Sequence, residues 1–333
     1  MAFTQMKAGE VRIESFPQAC HKDCVKSYFL AAAGIGVAAV IGWKTYKWWL
    51  SYSSRAGKPD DDSDEGSETE TVPAANDPRI KRIGITGAAG LIGGILREKL
   101  PQHDDFELVL FTMFDDEVKG SIGVDLSDAD KLKGKFDDLD CVVHLAADGS
   151  PQASWESVIK NNMTGTYNIL KECARAKVKK VIFASSNHVM NGHIVDNFDD
   201  VESVCLERAP LQKFTELDDP LPDGPYGISK LTGEALGKLF AARHGIDIVC
   251  FRIGWVTLED NPNALSGKRG EFLRSLHLSQ RDCAQAFLKA IKTKLSKRFV
   301  VFNLTSANST GIYNLNRARR LIGYRPLDNS SHR

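Results

Sequence analysis

Two side chains four residues apart, Tyr226 and Lys230 of Tyr226-Gly-Ile-Ser-Lys230, could form an acid–base pair. On a helix this spacing places both side chains on one face. A neighbouring ammonium lowers the pKa of a phenol, so that Tyr226 can remove a proton from a hydroxyl or return it. Ser186, which follows an apolar run, can polarise the same hydroxyl. Together these residues predict hydride transfer between a nicotinamide and a carbonyl or alcohol.

A glycine-rich turn, Thr86-Gly-Ala-Ala-Gly-Leu-Ile-Gly93, precedes both of these elements and directly follows the apolar run 82–86. Gly87 permits a tight turn, Gly90 lets the backbone approach a pyrophosphate, and Gly93 lets a helix pack on the sheet. The order strand, glycine turn, helix is typical of a dinucleotide-binding unit. A plain strand–helix turn is the alternative, and the serine and tyrosine elements downstream favour the dinucleotide interpretation.

Short apolar runs alternate with helical stretches from Arg79 onward, which indicates a parallel sheet covered by helices on both faces. The predicted fold class is therefore α/β, a doubly wound parallel sheet or Rossmann fold. Strands are predicted at residues 82–86, 106–112, 122–126, 141–146, 181–185 and 246–253. Helices are predicted over residues 91–100, 153–176 and 226–244.

Composition narrows the classes of function. The chain has 333 residues and a formal net charge of zero, which gives no indication of a nucleic-acid partner. Its seven cysteines are scattered and include no Cys-x-x-Cys pair, so we expect a reducing compartment and no disulfide framework. His103, His144 and His193 each stand alone in the sequence, and no metal site is predicted.

Residues 29–50 are predicted to form a transmembrane anchor, preceded by an N-terminal segment at residues 1–28. Residues 27–43 carry no charged side chain, and the aromatic residues that end the run resemble an interfacial belt. A buried helix is the alternative, but a polar stretch follows at once. A cleaved signal peptide fits poorly because the leader is long and contains acidic residues.

The orientation of the span is not set by charge, because lysines and arginines are nearly balanced on its two sides. Cysteine usage and the need for cellular dinucleotide favour a single-pass protein with a cytosolic catalytic domain. The endoplasmic reticulum and the mitochondrial outer membrane both suit the short span. Residues 51–79 are rich in Asp, Glu and Ser and predict a disordered linker, and the catalytic domain is expected at residues 80–333.

Residues 81–329 resemble extended short-chain dehydrogenases/reductases of the NAD-dependent epimerase/dehydratase type, with the closest likeness to uronate dehydrogenases. The stretches that carry this likeness are Ala184-Ser-Ser-Asn-His188, Tyr226-Gly-Ile-Ser-Lys230, Phe251-Arg-Ile-Gly254 and Leu321-Ile-Gly-Tyr-Arg-Pro326. His144-Leu-Ala-Ala-Asp148, Asn162-Met-Thr-Gly-Thr-Tyr-Asn168 and Asp125-Leu126 also match the wider family. Only the Ser-Ser-Asn-His element points toward the uronate group.

The resemblance implies Tyr226 as general base, Lys230 as the residue that holds the nicotinamide ribose, and Ser186 as hydrogen-bond partner of the reacting oxygen. Sugar hydroxyls would contact Ser150, Asn187 and His188. The cofactor would be NAD, bound by Gly87, Gly90, Leu91, Ile92, Gly93, Asp125, Leu126, Leu145, Ala146, Ala147, Tyr226 and Lys230. The resemblance further implies a small C-terminal substrate-binding part and a homodimer through the Tyr–Lys helix and the helix before it.

Three positions depart from the family pattern. Thr112 stands where an acidic residue usually binds the adenosine ribose, so either Asp115 returns to this place or ribose recognition is weaker. The absence of a nearby arginine cluster still favours NAD over NADP. Trp255 replaces a serine, and the expected substrate-carboxylate arginine has two candidates, Arg269 and Arg274, neither in clean alignment; Arg274 is the residue we assign.

Three functions follow from these observations. The first is a membrane-anchored NAD-dependent oxidoreductase or epimerase that acts on a small-molecule sugar acid or sugar derivative. The second keeps the enzyme but changes the substrate to an apolar alcohol such as a sterol, as the anchor and Trp255 suggest. The third is a nucleotide-binding sensor with little catalysis, which the acidic tether and the missing acid at Thr112 suggest.

Overall fold

A computed structural model describes residues 77–330, except residue 104 and the ranges 196–204, 207–208, 210–211 and 264–265. The predicted N-terminal segment, transmembrane anchor and most of the acidic linker lie outside the described residues. Among the helices of the described part, none is both long and apolar enough to cross a membrane.

The described chain forms a seven-stranded sheet in which every neighbouring pair of strands is parallel, in the order β3-β2-β1-β4-β5-β6-β7. The strands are β1 Arg82–Thr86, β2 Glu107–Thr112, β3 Ile122–Gly123, β4 Cys141–His144, β5 Lys180–Ser186, β6 Asp247–Ile253 and β7 Phe299–Leu304. The predicted doubly wound parallel sheet is thus confirmed. Strands β4, β5 and β6 are buried along their whole length because helices cover both faces.

The helices are α1 Leu91–Lys99, α2 Ala129–Leu132, α3 Trp155–Ser157, α4 Gly165–Arg175, α5 Pro225–His244, α6 Gly267–Leu276, α7 Gln280–Lys292 and α8 Asn316–Ile322. Helices α1, α7 and α8 bury apolar side chains in one core, and α4 and α5 in the core on the other face of the sheet. A third, smaller cluster joins residues after β5 to α6 and the segment before α8. Strand β7 and helices α6, α7 and α8 were not among the predicted elements.

The predicted helix 153–176 differs from the structure, because a π-helical segment at Val158–Thr164 separates α3 from α4. The π segment turns Asn162 into the protein, where its Oδ1 accepts a hydrogen bond from Asp148 N (2.7 Å). Asn162 Nδ2 donates to Asp148 O and to Ser229 Oγ, each at 3.0 Å. This amide therefore ties the loop after β4 to helix α5. Strand β3 is also shorter than predicted, because the chain turns after Val124.

The strand order reverses at β1, whose neighbours are β2 and β4. Connections from neighbouring strands then leave in opposite directions, which opens a crevice at the carboxyl ends of the strands. The glycine turn after β1, the loop after β4 and the Ser186 segment after β5 all begin at this edge. The sheet therefore brings together the segments that the sequence singled out.

The opposite edge of the sheet holds the start of the described chain. Asp77 is buried, and its carboxylate pairs with Arg79 at 2.7 Å and with the fully buried Lys180 at 3.5 Å. Lys180 Nζ donates to the carbonyls of Ala290, Ile291 and Thr293 at 2.6–3.0 Å, at the C-terminal end of α7. Packing on the domain thus begins at Asp77, inside the range 51–79 predicted as linker.

Several apolar side chains of α4 and α5 face outward, among them Tyr167, Ile228 and Leu239. These helices carry the dimer contact that the family resemblance implies. The homodimer stays a prediction, since the structure contains one chain.

Candidate active site

The glycine turn between β1 and α1 leaves no room for side chains. Gly87 has φ +71°, and a Cβ on it would lie 2.7 Å from Ala146 N. A Cβ on Gly93 would lie 2.5 Å from Gly87 O. Helix α1 begins after Gly90 without a side-chain cap, so its first backbone N–H groups are open to an anion. This cradle fits the pyrophosphate of a dinucleotide.

A buried histidine lies directly behind the cradle. His144 Nδ1 is 2.8 Å from Thr86 Oγ1, and its Nε2 is 3.1 Å from Thr166 Oγ1. Burial lowers the pKa of His144 to about 3, so the ring is neutral. The imidazole joins the ends of β1 and β4 to helix α4, which fixes the strand from which the glycine turn departs.

A cavity of about 430 Å³ extends from the glycine turn toward the ends of β2 and β3. Asp125, Leu126, Leu145, Ala146 and Ala147, all predicted as cofactor-binding residues, line it. Asp125 Oδ1 accepts hydrogen bonds from Ser127 N and Oγ at 2.9 and 2.7 Å, which lowers the pKa of Asp125. The carboxylate therefore stays charged and fixed where an adenine would lie.

The acidic residues after β2 do not all face this cavity. Asp115 Oδ1 accepts from Gly123 N at 2.7 Å, and Asp116 Oδ1 accepts from Gly120 N at 2.9 Å, so both carboxylates close the turn to β3. The Thr112 hydroxyl is buried against Phe114 O and Ser121 Oγ. Glu117, which sequence reasoning missed, lines the cavity instead of Asp115. No local signal distinguishes Glu117 from its neighbours in the sequence.

A second cavity, of about 610 Å³, continues from the glycine turn toward α5 and α6. Ser186, Tyr226 and Lys230 all line it, together with Gly87, Leu91 and Ile92. The two cavities share Gly87, Gly90, Leu145 and Ala147, so one cleft runs from Asp125 past the cradle to Tyr226. The length and lining of this cleft fit an extended dinucleotide.

The three predicted catalytic side chains are brought together. Helix α5 begins at Pro225, so Tyr226 lies in its first turn and Lys230 one turn later. The Ser186 side chain is close enough to Tyr226 to lower the pKa of its phenol. Lys230 Nζ donates to Ala184 O at 2.8 Å and lies 5.6 Å from the centroid of the Tyr226 ring. The trio thus joins the end of β5 to the start of α5.

The predicted lowering of the Tyr226 pKa is wrong for this arrangement. Tyr226 is half-buried as a residue, but its hydroxyl lies among protein atoms, and this burial raises its pKa to about 12. The polar side chain of Ser186 acts in the opposite direction, and the negative charges of Asp223 and Asp148 raise the pKa of Tyr226 further. Burial also lowers the pKa of Lys230 to about 8, which weakens the ammonium expected to stabilise a tyrosinate.

A buried ion pair supports the trio from behind. The Arg252 guanidinium donates to both carboxylate oxygens of Glu234 on α5, at 3.0 and 2.9 Å. Ser185 Oγ, next to Ser186, donates to the same carboxylate at 2.6 Å. Strands β5 and β6 and helix α5 are therefore joined at a buried charged centre, and removal of one partner would leave an unpaired buried charge.

The predicted substrate residues fall into two groups. Asn187 and His188 line the cavity beside Tyr226, and His188 Nδ1 is 2.7 Å from Asp223 Oδ2. Ser150 is exposed, and its Oγ accepts from Gln152 N at 3.2 Å within its own loop. Its neighbours Gly149 and Pro151 line the cavity rather than Ser150. The prediction for Ser150 is therefore not supported by its position.

The structure does not bring Arg274, the residue assigned to the substrate carboxylate, into the cavity of Tyr226. Arg274 lines a separate cavity of about 480 Å³, whereas Arg269, five residues earlier on α6, lines the cavity that contains Tyr226. Five residues turn a helix by about 140° beyond a full turn, which puts the two side chains on different faces. Trp255 and Phe272 line the Tyr226 cavity, as the sequence suggested.

A metal-binding cluster is not found among the described residues, where no three His, Cys, Asp or Glu side chains lie close enough to share an ion.

Comparison with known proteins agrees with this geometry. The sequence profile of the NAD dependent epimerase/dehydratase family matches residues 83–284. The chain is 36% identical over 255 residues to an L-arabinose 1-dehydrogenase (NAD(P)(+)) from Haloferax volcanii, covering 76% of this chain and 98% of that protein. It is 31% identical to an NAD-dependent glucose-6-phosphate dehydrogenase from the same organism, over 74% of this chain and 93% of that protein.

The crystal structure of uronate dehydrogenase from Agrobacterium tumefaciens has a similar fold, with a TM-score of 0.63 and 26% identity over 76% of this chain and 86% of that chain. The resemblance read from the Tyr-Gly-Ile-Ser-Lys and Ser-Ser-Asn-His elements is confirmed, and it extends to relatives named for neutral and phosphorylated sugars. The chain belongs to the NAD-dependent epimerase/dehydratase family and is an NAD(P)-dependent dehydrogenase or epimerase of the extended short-chain type, with NAD as its cofactor.

Proposed function

We propose that this protein is an NAD-dependent dehydrogenase that oxidises the anomeric hydroxyl of a small sugar, preferably one that carries an anionic group. The observation that carries the proposal is the trio Ser186, Tyr226 and Lys230 in a cavity continuous with the glycine cradle. The relatives named for dehydrogenation of arabinose, glucose 6-phosphate and uronates support a sugar as substrate.

The chain's residues divide the work of oxidation. NAD held at the glycine cradle would supply the acceptor for the hydride that leaves the carbon bearing the hydroxyl. Ser186 donates a hydrogen bond to the hydroxyl oxygen, and Tyr226, in its deprotonated form, takes the hydroxyl proton as the carbon–oxygen double bond forms. Lys230, fixed by Ala184 O, supplies positive charge beside Tyr226 and faces the cleft where the nicotinamide ribose would lie. Oxidation at the anomeric carbon of a ring sugar gives a lactone.

The charge of the cavity favours an anionic sugar. Two charged side chains that line the cavity already have partners in the protein. Asp223 is paired with His188, and Lys230 donates a hydrogen bond to Ala184 O. Arg269 is exposed on the first turn of α6, and none of the carboxylates of the described residues pairs with it. Its guanidinium is therefore available to a carboxylate or phosphate at the far end of a substrate, which it can bind with two hydrogen bonds.

The first test is Tyr226→Phe, which removes the phenol oxygen and keeps the ring. We expect the turnover number for glucuronate, galacturonate, glucose 6-phosphate or L-arabinose to fall about 10²- to 10⁴-fold, because a positioned acid–base group contributes that much. NADH absorbance measures turnover, and fluorescence titration should show unchanged NAD affinity. Tyr167→Phe on α4 is the matched control. Full activity of Tyr226→Phe would refute the mechanism. If the protein bound NAD but turned over none of the sugars, a nucleotide-binding sensor with little catalysis would be favoured.

The second test concerns Arg269. Arg269→Gln should raise KM for the anionic sugars about 10- to 100-fold, because a hydrogen bond to a charged group contributes about 1.5–3 kcal/mol. KM for L-arabinose should stay within about twofold. The neighbouring Lys268→Gln, which removes an exposed charge outside the cavity, is the control. Equal effects of Arg269→Gln on neutral and anionic sugars would exclude Arg269 as the reader of the anionic group.

The third test concerns cofactor choice. Glu117 is the carboxylate of the β2–β3 loop that lines the adenosine end of the cleft. Its charge repels a 2′-phosphate and can accept hydrogen bonds from ribose hydroxyls. Glu117→Gln should therefore lower the ratio of NAD to NADP affinity about 10-fold, measured by calorimetry, which corresponds to a change of about 1.4 kcal/mol in relative binding free energy. Glu259→Gln, an exposed acid after β6, is the control, and an unchanged ratio would contradict the assignment.

We further propose that residues 29–50 anchor the protein in the endoplasmic reticulum or the mitochondrial outer membrane, with a cytosolic catalytic domain. The uncharged run at residues 27–43 and the aromatic belt after it support this proposal. The full-length chain should stay in the membrane pellet at alkaline pH, and a variant without residues 29–50 should not. Release of the full-length chain would contradict the anchor.

A second candidate substrate is an apolar alcohol such as a sterol. The wall formed by Trp255, Phe272 and Leu273 favours it, because these side chains would pack on a flat apolar molecule. A hydroxysterol belongs in the same assay panel. Tyr226-dependent turnover of the sterol and of none of the sugars would replace the sugar proposal.

A further inference from the structure

A histidine that is hydrogen-bonded to a carboxylate lies beside the catalytic tyrosine. His188 follows β5 in a 3₁₀ turn, Asn187–Val189, and Asp223 ends the loop that leads into α5. His188 Nδ1 is 2.7 Å from Asp223 Oδ2, and the Asp223 side chain is only 4% exposed. The His188 ring stands edge-on to the Tyr226 ring, with centroids 5.3 Å apart and planes 80° apart. Both residues of the pair line the cavity of Tyr226.

The backbone holds this pair in a fixed position. Asp223 N donates to His188 O at 3.3 Å, and Gly192 N donates to Leu221 O at 2.9 Å. Gly227, in the first turn of α5, has its Cα directly against His188 O, where a Cβ would clash. The His188 turn and the loop before α5 therefore lock onto each other. A ring held on both sides in this way has one orientation relative to Tyr226.

The carboxylate also decides which ring nitrogen carries the proton. A carboxylate accepts hydrogen bonds, so Nδ1 must be the donor, and Nε2 of the neutral ring is then an acceptor. Among the described residues none forms a hydrogen bond with His188 Nε2. His188 keeps 22% of its side chain exposed on the cavity side of the pair. Nε2 is thus available to a ligand that donates a hydrogen bond.

We propose that Asp223 is a positioning residue that fixes the tautomer of His188, so that Nε2 accepts a hydrogen bond from the sugar hydroxyl adjacent to the one oxidised. The proposal rests on the proposed function. It adds a requirement for substrate: the reacting carbon must have a hydroxyl-bearing neighbour. The short distance between the His188 and Tyr226 rings suits two hydroxyls on adjacent carbons.

A site built to bind a hydroxyl rejects an analogue that lacks it, because a buried polar group is left unpaired. L-Arabinose and its 2-deoxy analogue therefore differ only in the hydroxyl that His188 would bind. We expect kcat/KM of the wild-type protein to be at least about 100-fold lower for the 2-deoxy compound. In His188→Phe, which has no acceptor at this position, the two sugars should differ by less than about fivefold.

The main test is Asp223→Asn in the full-length protein. An amide can donate to Nδ1 and so favour the wrong tautomer. We expect kcat/KM for the complete sugar to fall about 100-fold, and the discrimination against the 2-deoxy sugar to disappear. On the background of His188→Phe the same substitution should change kcat/KM less than about threefold, since the two residues act as a unit. Asp219→Asn, an exposed acid of the same loop, is the control.

The pH profile separates this role from simple loss of structure. The charged or titratable groups that face Tyr226 are Asp148 after β4, His188 after β5, Asp223 before α5, and Lys230 on α5. Asp223 raises the pKa of Tyr226, so removal of its charge should shift the acid limb of kcat/KM to lower pH while the maximum rate falls. A variant that is only less stable would lose activity without this shift.

A measurement without substrate checks the tautomer directly. In ¹⁵N-histidine-labelled protein, long-range ¹H–¹⁵N correlations should show His188 Nδ1 protonated in the wild type, with the signal assigned by its loss in His188→Phe. In Asp223→Asn and Asp223→Ala the proton should move to Nε2. A wild-type ring protonated on Nε2, or an unchanged tautomer in both variants, would overturn the proposal. Failure of all sugars to react would overturn the proposed function while the tautomer result still stands.

Discussion

The parallel register of β1, β4 and β5 is the constraint on which the site depends. Thr86 pairs with His144, and His144 pairs with Phe183, so the three strands end at the same edge. The residues that follow these ends are Gly87, Leu145 and Ala184 to Ser186. A shift of one residue in either pairing would turn each inward side chain to the opposite face of the sheet. The glycine cradle and the catalytic serine are adjacent because the hydrogen-bond ladders fix this register.

Opposing effects set the pKa values of the two titratable catalytic residues, Tyr226 and Lys230. Burial raises the pKa of Tyr226 and lowers that of Lys230, so each group is held closer to its neutral form. The charges of Asp223 and Asp148 favour the protonated form of Tyr226, and the side chain of Ser186 opposes it. A tyrosine of this kind holds a proton that it can give to a carbonyl in reduction, and it must first lose that proton to act as the base in oxidation. It therefore suits an acid–base role that operates in both directions.

Much of this arrangement could be predicted because its signals are local. The strands around Gly87 and Ser186 are short apolar runs next to glycine or polar turns, and Tyr226 and Lys230 differ by one helical turn. Arg274 was assigned in place of Arg269 because the choice depends on which face of α6 meets the cleft, and that face is set by packing. The position of Glu117 in the cavity depends on a turn in which the carboxylates of two neighbouring aspartates accept hydrogen bonds from backbone amides. Contacts of this kind are formed between elements and leave no periodic pattern.

The π-helical segment and the pair of His188 and Asp223 escape sequence reasoning for the same reason. Asn162 turns inward only because the segment before α4 widens, and nothing in the residue types requires this. Strand β7 is a different case. Phe299–Leu304 is an apolar run of the same kind as the predicted strands, so its signal was present in the sequence.

The buried contact between Asp77 and Lys180 determines where the catalytic domain is attached to the rest of the chain. Lys180 and Asp247 are the first residues of β5 and β6, and Arg79 pairs with both Asp77 and Asp247. The described chain therefore enters at the amino ends of the strands, a full strand length away from the mouth of the cleft. The opening through which a dinucleotide would enter therefore lies at the other end of the strands from the first described residue.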